Sequence, residues 1–139
     1  VGPCAHPATS AQQWVFSGED GGEAGTFKSA ANASLCLDAG SSKPPVHPAP
    51  CAPEGSTAGA LQQWKWDSKS GQLSSVAKEP CQAPTRKGKE CTRCIDVMSN
   101  GKRVDLFDCK PQDANQVWTF DCAAGAGPFA HKGQCLTLN

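Results

Sequence analysis

Apolar and polar residues alternate along short stretches of this chain, and no stretch shows the longer period of a helix. Residues 64–67 (Trp-Lys-Trp-Asp) and 104–107 (Val-Asp-Leu-Phe) alternate in this way. An alternating strand turns every second side chain toward a core and the others toward solvent. The 14 glycines and 11 prolines favour turns and oppose long helices. The pattern therefore predicts an all-β chain of short strands.

The chain also repeats one pattern three times. Gln-x-Trp occurs at residues 12–14, 62–64 and 116–118, and a cysteine followed by an aliphatic residue occurs at residues 36, 94 and 135. Three copies in 139 residues indicate a threefold internal repeat. Each third has about 46 residues, which is too few to bury a core alone. We therefore predict one domain over residues 1–139. Its repeats lie at roughly 1–35, 36–93 and 94–139, and the C-terminal end completes the first.

Charge and hydropathy argue against two classes of partner. The formal net charge is zero, which argues against a nucleic-acid or membrane-surface role driven by overall charge. No apolar stretch approaches the ~18 residues of a membrane span. The chain opens at Val1 and shows no signal peptide, so we interpret it as a processed mature chain or an excised domain.

Nine cysteines in a small, weakly apolar chain predict a disulfide framework and a secreted, extracellular location. Asn32 opens an Asn-Ala-Ser glycosylation sequon, which agrees with secretion. Cys36 and Cys51 are separated by 15 residues, as are Cys94 and Cys109. Equal separations in two repeats predict the same local bridge in both, each worth about 3 kcal/mol in the chain-entropy model.

The remaining cysteines are assigned from the repeat. Cys4 and Cys135 belong to the copy that the chain ends divide, so Cys4–Cys135 is expected to complete the set. Cys81 and Cys91 flank a basic insertion and are expected to pair across it. Cys122 is then unpaired or joined to another chain. Self-association, or attachment to a larger protein, therefore stays open.

The repeated motifs resemble those of the ricin-type β-trefoil lectins, and the resemblance spans nearly the whole chain. It rests on the Gln-x-Trp triplets, on Cys-Leu-Asp at 36–38 and Cys-Ile-Asp at 94–96, and on the closing Gly-Gln-Cys-Leu-Thr at 133–137. The family fold is a pseudo-threefold barrel of six strands capped by three hairpins. The resemblance implies that fold here, stapled by disulfides, and a carbohydrate-binding function with glycans or glycoproteins as partners.

Trp14, Trp64 and Trp118 are expected in the shared core. The resemblance places each indole near the barrel axis. The physical argument agrees, because a tryptophan offers a large apolar body and one N–H that needs a buried partner. A neighbouring glutamine can bridge to the backbone of the preceding turn. Trp66 lies on the same strand face as Trp64 and is expected to join the core.

Each repeat of this family can carry a shallow sugar pocket. Its parts are an Asp two residues after the first Cys, an aromatic residue two before the second Cys, and an Asn just before Gln-x-Trp. A carboxylate accepts hydroxyl hydrogens, an aromatic ring covers the apolar face of a sugar, and an amide both donates and accepts. The repeat that starts at Cys94 fills every position. Its candidate sugar ligands are Asp96, Asp105, Phe107, Asn115 and Gln116.

The other two repeats lack most of these groups. The second keeps Asp38 but has Ala49 and Leu61, and the divided repeat has Thr137, Gly2 and Ala11. We therefore expect one functional pocket, in residues 94–118, for galactose, N-acetylgalactosamine or a related terminal sugar. The competing interpretation is that its Asp and Asn residues only organise local turns. A basic cluster before this repeat either favours an acidic or sulfated glycan or is a solvated insertion: Arg86, Lys87, Lys89 and Arg93.

No motif for catalysis or metal binding is recognisable. The three histidines, at 6, 47 and 131, lie in no catalytic pattern. Cys91-x-x-Cys94 has zinc-ligand spacing but no second such pair. We expect no enzyme, metal or cofactor. Two other functions stay open. One is a disulfide-locked structural or assembly protein that uses the trefoil for protein–protein contacts. The other is a trefoil protease inhibitor that uses the Pro-rich loop at 44–50.

Overall fold

The computed structural model describes residues 2–7, 9–40, 46–53, 57–98, 103–121 and 125–137. In these ranges the chain is almost entirely strand and turn, and it contains no helix long and apolar enough to cross a membrane. The strands are β1 (Gly2–Pro3), β2 (Gln13–Phe16), β3 (Phe27–Ser29), β4 (Leu35–Asp38), β5 (His47–Pro50), β6 (Trp64–Asp67), β7 (Gln72–Pro80), β8 (Glu90–Met98), β9 (Arg103–Asp108), β10 (Gly127–Pro128), β11 (Ala130–His131) and β12 (Gln134–Cys135). One helical turn, α1 (Thr57–Ala60), and three 3-10 turns, at Ser10–Gln12, Pro84–Arg86 and Ala114–Gln116, complete the elements.

The strands pair antiparallel in three sheets. Their orders are β1-β12-β11, β10-β2-β3-β4-β5 and β6-β7-β8-β9. The all-β class is confirmed. None of the three sheets closes on itself within the described ranges, so the closed barrel of the trefoil stays a prediction.

All four predicted disulfides are present. They join Cys4 to Cys135, Cys36 to Cys51, Cys81 to Cys91, and Cys94 to Cys109. The Cys4–Cys135 bridge ties the two ends of the chain together across a separation of 131 residues. Cys122, which was expected to lack a partner within the chain, lies outside the described residues.

The three motif tryptophans are buried and make the same hydrogen bond in each repeat. Each indole Nε1 donates to the carbonyl of the aliphatic residue that follows the first cysteine. The pairs are Trp14 with Leu136 (3.0 Å), Trp64 with Leu37 (2.9 Å) and Trp118 with Ile95 (3.1 Å). Each tryptophan therefore satisfies its N–H inside the core. The prediction that these residues are core is confirmed by their burial.

The glutamine two residues before each of these tryptophans also makes the same hydrogen bonds in every repeat. Its side-chain amide bonds to the backbone on both sides of the second cysteine: Nε2 donates to the carbonyl of the preceding residue, and Oε1 accepts from the N–H of the following residue. The sets are Gln12 with Pro3 and Ala5, Gln62 with Pro50 and Ala52, and Gln116 with Asp108 and Lys110. The Gln-x-Trp triplet thus fixes both cysteines of its repeat, one through each side chain.

One hydrophobic cluster draws on all three repeats. It includes the motif tryptophans together with Trp66, which is buried as expected, and Phe129, which stacks on Trp118 at 4.7 Å between ring centroids. The Nε1 of Trp66 has no partner among the described residues. The repeats also meet through backbone. Gly71 has φ +73° and accepts from Trp118 N at 2.8 Å, and a Cβ there would come within 2.9 Å of Val117 Cγ1. Glycine is required at this approach.

Candidate functional site

The predicted sugar ligands lie on one face of the β8–β9 hairpin. In its register Asp96 is opposite Asp105, and Cys94 is opposite Phe107. Because side chains alternate along a strand, these four residues share one face. Ile95 and the residue opposite it, Leu106, turn to the other face and are buried in the core. Because Ile95 and Leu106 are buried in the core, the carboxylates of Asp96 and Asp105 and the ring of Phe107 lie together on the outer face of the hairpin.

The same register holds in the other two repeats. The residue opposite the first cysteine is the one that the repeat alignment assigned to the aromatic position. These pairs are Cys94 with Phe107, Cys36 with Ala49, and Cys135 with Gly2. Only the third repeat has a ring at this place.

Asp96 is held in a fixed orientation at the base of the face. Its side chain is largely covered, with 6% of the residue exposed, and its Oδ2 accepts from Gln116 Nε2 at 3.0 Å. Burial raises the pKa of Asp96 above its usual value, although the hydrogen bond from Gln116 works in the opposite direction. Its other oxygen, Oδ1, accepts no hydrogen bond from a described residue. Asp96 can therefore accept hydroxyl groups of a ligand through Oδ1.

Asp105 is half-buried and less firmly held. Its Oδ1 accepts from the N–H of Leu106 at 2.8 Å, and its Oδ2 lies 3.6 Å from Nη2 of Arg103. The Arg103 side chain is 65% exposed, so this ion pair adds little to stability. Together with Asp96, Asp105 gives the face two negative charges on directly opposed residues.

Lys110 lies over the ring of Phe107, although no sequence motif pointed to it. Its Nζ lies 4.7 Å from the centre of the half-buried Phe107 ring, within the range of a cation–π contact. Lys110 directly follows Cys109, and the bridge from Cys109 to Cys94 brings it beside the site. The site therefore combines two carboxylates, one ring and one ammonium group.

Asn115 and Gln116 lie on the 3-10 turn Ala114–Gln116, which packs against β8 through the bond from Gln116 to Asp96. Asn115 is exposed, and its N–H donates to Oδ1 of Asp113 at 3.0 Å, which caps the turn. Asn115 is thus exposed to solvent and adjoins Gln116, the residue that holds Asp96.

The expectation that Gln116 contacts a sugar needs correction. Gln116 is fully buried, and both ends of its amide are engaged. Nε2 donates to Asp96 and to the Asp108 carbonyl, while Oε1 accepts from Lys110 N and from Nε2 of Gln72. Gln116 therefore holds Asp96 in place from the buried side of the site and offers no free group to a ligand.

The second repeat preserves the supporting structure without the ring. Asp38 is 8% exposed and accepts from Gln62 Nε2 at 3.0 Å, as Asp96 does from Gln116. His47 lies opposite Asp38, in the place of Asp105, and Ala49 takes the place of Phe107. In the divided repeat the Oγ1 of Thr137 takes the bond from its glutamine, Gln12, at 3.3 Å. An aspartate in this place is therefore compatible with a purely structural role.

Two clefts lie elsewhere on the surface. One, of about 630 Å³, lies between residues 20–22 and the β6–β7 hairpin and includes Trp66 and Gln72. The other, of about 930 Å³, lies between the first and second repeats and includes Thr26, Ala52 and Gln62. Neither of these two clefts is lined by Asp96, Asp105 or Phe107.

Two other predicted sites can be placed. Asn32 is exposed in the turn between β3 and β4, and its Oδ1 accepts from Ser34 N and Ser34 Oγ. Its glycosylation stays a prediction. The sulfur atoms of Cys81 and Cys91 and the carboxylate of Asp108 lie within 4.8 Å of one another. The two sulfurs are bonded to each other, so they cannot act as thiolate ligands.

No protein-family model, no curated protein and no solved structure matches the chain. The resemblance to ricin-type lectins therefore rests on the motifs and on the threefold bonding pattern described above.

Proposed function

We propose that this chain is a secreted β-trefoil carbohydrate-binding protein or module of the ricin type. In this proposal it binds one terminal sugar, of the galactose or N-acetylgalactosamine kind, on the outer face of the β8–β9 hairpin. The single observation that carries the proposal is the placement of Asp96, Asp105 and Phe107 on one face of that hairpin. The repeated tryptophan and glutamine bonds support the threefold architecture, and the four disulfides agree with secretion.

Each group has a distinct task in this proposal. Asp96 accepts two hydroxyl hydrogens of the sugar through the oxygen that Gln116 leaves free. The ring of Phe107 packs against the C–H face of the sugar, and the Lys110 ammonium beside it donates to a hydroxyl. Asn115 orients a further hydroxyl through its amide.

The affinity of one such site should be low. A single sugar on a shallow, water-exposed face makes few contacts, so we expect a dissociation constant of about 1 mM, or about −4 kcal/mol. Useful retention on a cell surface or polysaccharide would come from several sites acting together, either through oligomers or through a larger protein that carries this chain.

The test compares two aspartates in equivalent positions. Asp96→Asn should abolish retention on galactose-agarose, whereas Asp38→Asn should leave retention unchanged. Both aspartates are buried, and both accept from the glutamine of their repeat at 3.0 Å. A general loss of fold would therefore affect the two variants alike. Equal retention of the two variants would refute the assignment, as would failure of the unmodified protein to bind galactose or N-acetylgalactosamine at 100-fold the expected dissociation constant, ~100 mM.

A further inference from the structure

The loop that joins β7 to β8 carries several basic side chains and is closed by a disulfide. The basic loop (residues 82–89) is sealed at its base by the Cys81–Cys91 disulfide, whose Cα atoms are 4.9 Å apart. Cys81 N donates to the Lys89 carbonyl at 2.9 Å, and the 3-10 turn Pro84–Arg86 shapes the middle of the loop. The loop therefore has a defined backbone although it projects from the sheet.

Asp108 anchors the start of this loop. Its buried carboxylate accepts from the backbone N–H groups of Gln82 and Ala83 at 3.0–3.1 Å. Burial alone would raise the pKa of Asp108, but these N–H donors together with the nearby Arg86 and Arg93 outweigh it, and the pKa is lowered. Asp108 projects from the opposite face of β9 to Phe107. The carboxylate that anchors the basic loop therefore lies on the face of β9 away from the Phe107 ring.

The charges on the loop are of one sign. Arg86, Lys87 and Lys89 are exposed, and residues 82–89 contain no carboxylate. The neighbouring Glu79 is engaged by Arg93 at 2.9 Å. Asp108 accepts hydrogen bonds from the loop backbone and also interacts electrostatically with Arg86, and Glu90 is an exposed acidic group at the base of the loop. The formal net charge of the chain is zero, so this positive surface is local.

We propose that the basic loop binds a sulfated polysaccharide through Arg86, Lys87 and Lys89. Three cations within four positions match a polymer with closely spaced anionic groups better than they match a single carboxylate. The guanidinium of Arg86 can engage two oxygens of one sulfate group. The closed backbone reduces the ordering cost of binding. The disulfides indicate an oxidising compartment, where sulfated polysaccharides are the abundant linear polyanions and nucleic acids are not.

Heparin-agarose chromatography tests this proposal directly. The unmodified protein should be retained and should elute with NaCl. A triple variant, Arg86→Gln with Lys87→Gln and Lys89→Gln, should elute near the starting salt. A matched control removes three exposed lysines elsewhere, Lys28→Gln with Lys65→Gln and Lys69→Gln, and should elute like the unmodified protein. The slope of log affinity against log salt should fall by roughly 2–3 in the loop variant only.

Three results would overturn the proposal: no retention of the unmodified protein, equal loss in both triple variants, or equal retention of both. Soluble heparin, desulfated heparin and a double-stranded DNA oligomer serve as competitors, and heparin should release the protein at the lowest concentration. Release by DNA at a lower concentration than heparin would assign the loop to nucleic acid, and equal release by desulfated heparin would exclude recognition of sulfate; either result would overturn the proposal. Because these readouts need no galactose, they are independent of the function proposed above.

A second variant separates loop geometry from charge. Cys81→Ser with Cys91→Ser opens the base of the loop, leaves every charge in place and keeps three disulfides. Its affinity for heparin should fall several-fold while the salt slope stays unchanged. Unchanged affinity in a variant that still melts cooperatively would contradict the role assigned to the closed backbone.

Discussion

Gln72 donates its side-chain amide to Oε1 of Gln116 at 3.1 Å, and through this bond the second repeat supports the site of the third. The same amide donates to the Lys110 carbonyl at 2.9 Å. In the first repeat the residue equivalent to Gln72 is Thr26. Each directly precedes an equivalent phenylalanine or leucine, Phe27 of β3 and Leu73 of β7. The cleft of about 930 Å³ that includes Thr26 and Gln62 occupies the corresponding junction. Gln72 therefore fills a junction that Thr26 leaves open.

Replacement of Gln72 should weaken sugar binding more than it weakens the fold. Gln72→Thr introduces the residue of the equivalent position and removes both donors to Lys110 and Gln116. Loss of such hydrogen bonds costs about 0.5–1.5 kcal/mol each. We expect retention on galactose-agarose to fall several-fold, with a small drop in thermal midpoint. Ser74→Ala, on the same strand, is the control. If Gln72→Thr retains full binding, the support from the second repeat has no functional role.

Sugar binding should weaken as pH falls. The pKa of Asp96 is raised by burial, and Asp113 and the facing Asp105 raise it further, against the influence of Lys110. Once protonated, Asp96 no longer accepts two hydroxyl hydrogens. An ordinary aspartate has a pKa of about 3.9. As pH is lowered, binding should therefore begin to decline at a higher pH than it would if Asp96 were an ordinary aspartate. Calorimetric titration with galactose between pH 7 and 4 measures this. Binding that stays constant over this range would contradict the role of the Asp96 carboxylate.

The ionised carboxylate of Asp96 lowers the stability of the fold, whereas most ionised acidic groups in proteins raise it. A folded-state pKa above the unfolded value means that ionised Asp96 destabilises the fold at neutral pH. This cost disappears as pH falls through the raised pKa. Asp96→Asn should therefore be at least as stable as the unmodified protein at pH 7, as measured by urea denaturation. A large loss of stability at pH 7 would show that the charge of Asp96 helps the fold.

Asp108 should behave in the opposite way. Its pKa is lowered, despite its burial, by the N–H groups of Gln82 and Ala83 and by the nearby Arg86 and Arg93. Its contribution to stability is then complete above the unfolded pKa of about 3.9 and is lost as pH falls through the lower folded value. Asp108→Asn should cost about 2–3 kcal/mol at pH 7, since hydrogen bonds to a charged group are the stronger ones. The difference from the unmodified protein should shrink below pH 4 in urea denaturation. A difference independent of pH would contradict this assignment.

The threefold pattern was largely readable from the sequence. The equal spacing of Cys36–Cys51 and Cys94–Cys109 fixed two bridges, and the repeat then supplied the partner for Cys4. The position two residues before each second cysteine was also singled out, and in the structure it lies opposite the first cysteine in every repeat. Closure of the barrel stays a prediction, since none of the three described sheets closes on itself.

The site was predicted in part. Asp96, Asp105 and Phe107 share a face because strand alternation places them there. Gln116 was predicted to contact the sugar because it adjoins Asn115 in the motif. The motif does not reveal that the 3-10 turn buries Gln116 and exposes Asn115. The contacts of Lys110 and Gln72 come from a loop and from another repeat, and no local pattern encodes them.

Binding of a sugar to one face of the β8–β9 hairpin can be observed by amide chemical-shift mapping of the ¹⁵N-labelled protein during titration with galactose. We expect saturable shifts at Asp96, Phe107, Lys110 and Asn115, with the equivalent residues Asp38 and Ala49 unaffected. Shifts centred on the second or the divided repeat, or no saturable shift at ~100 mM galactose, would contradict it.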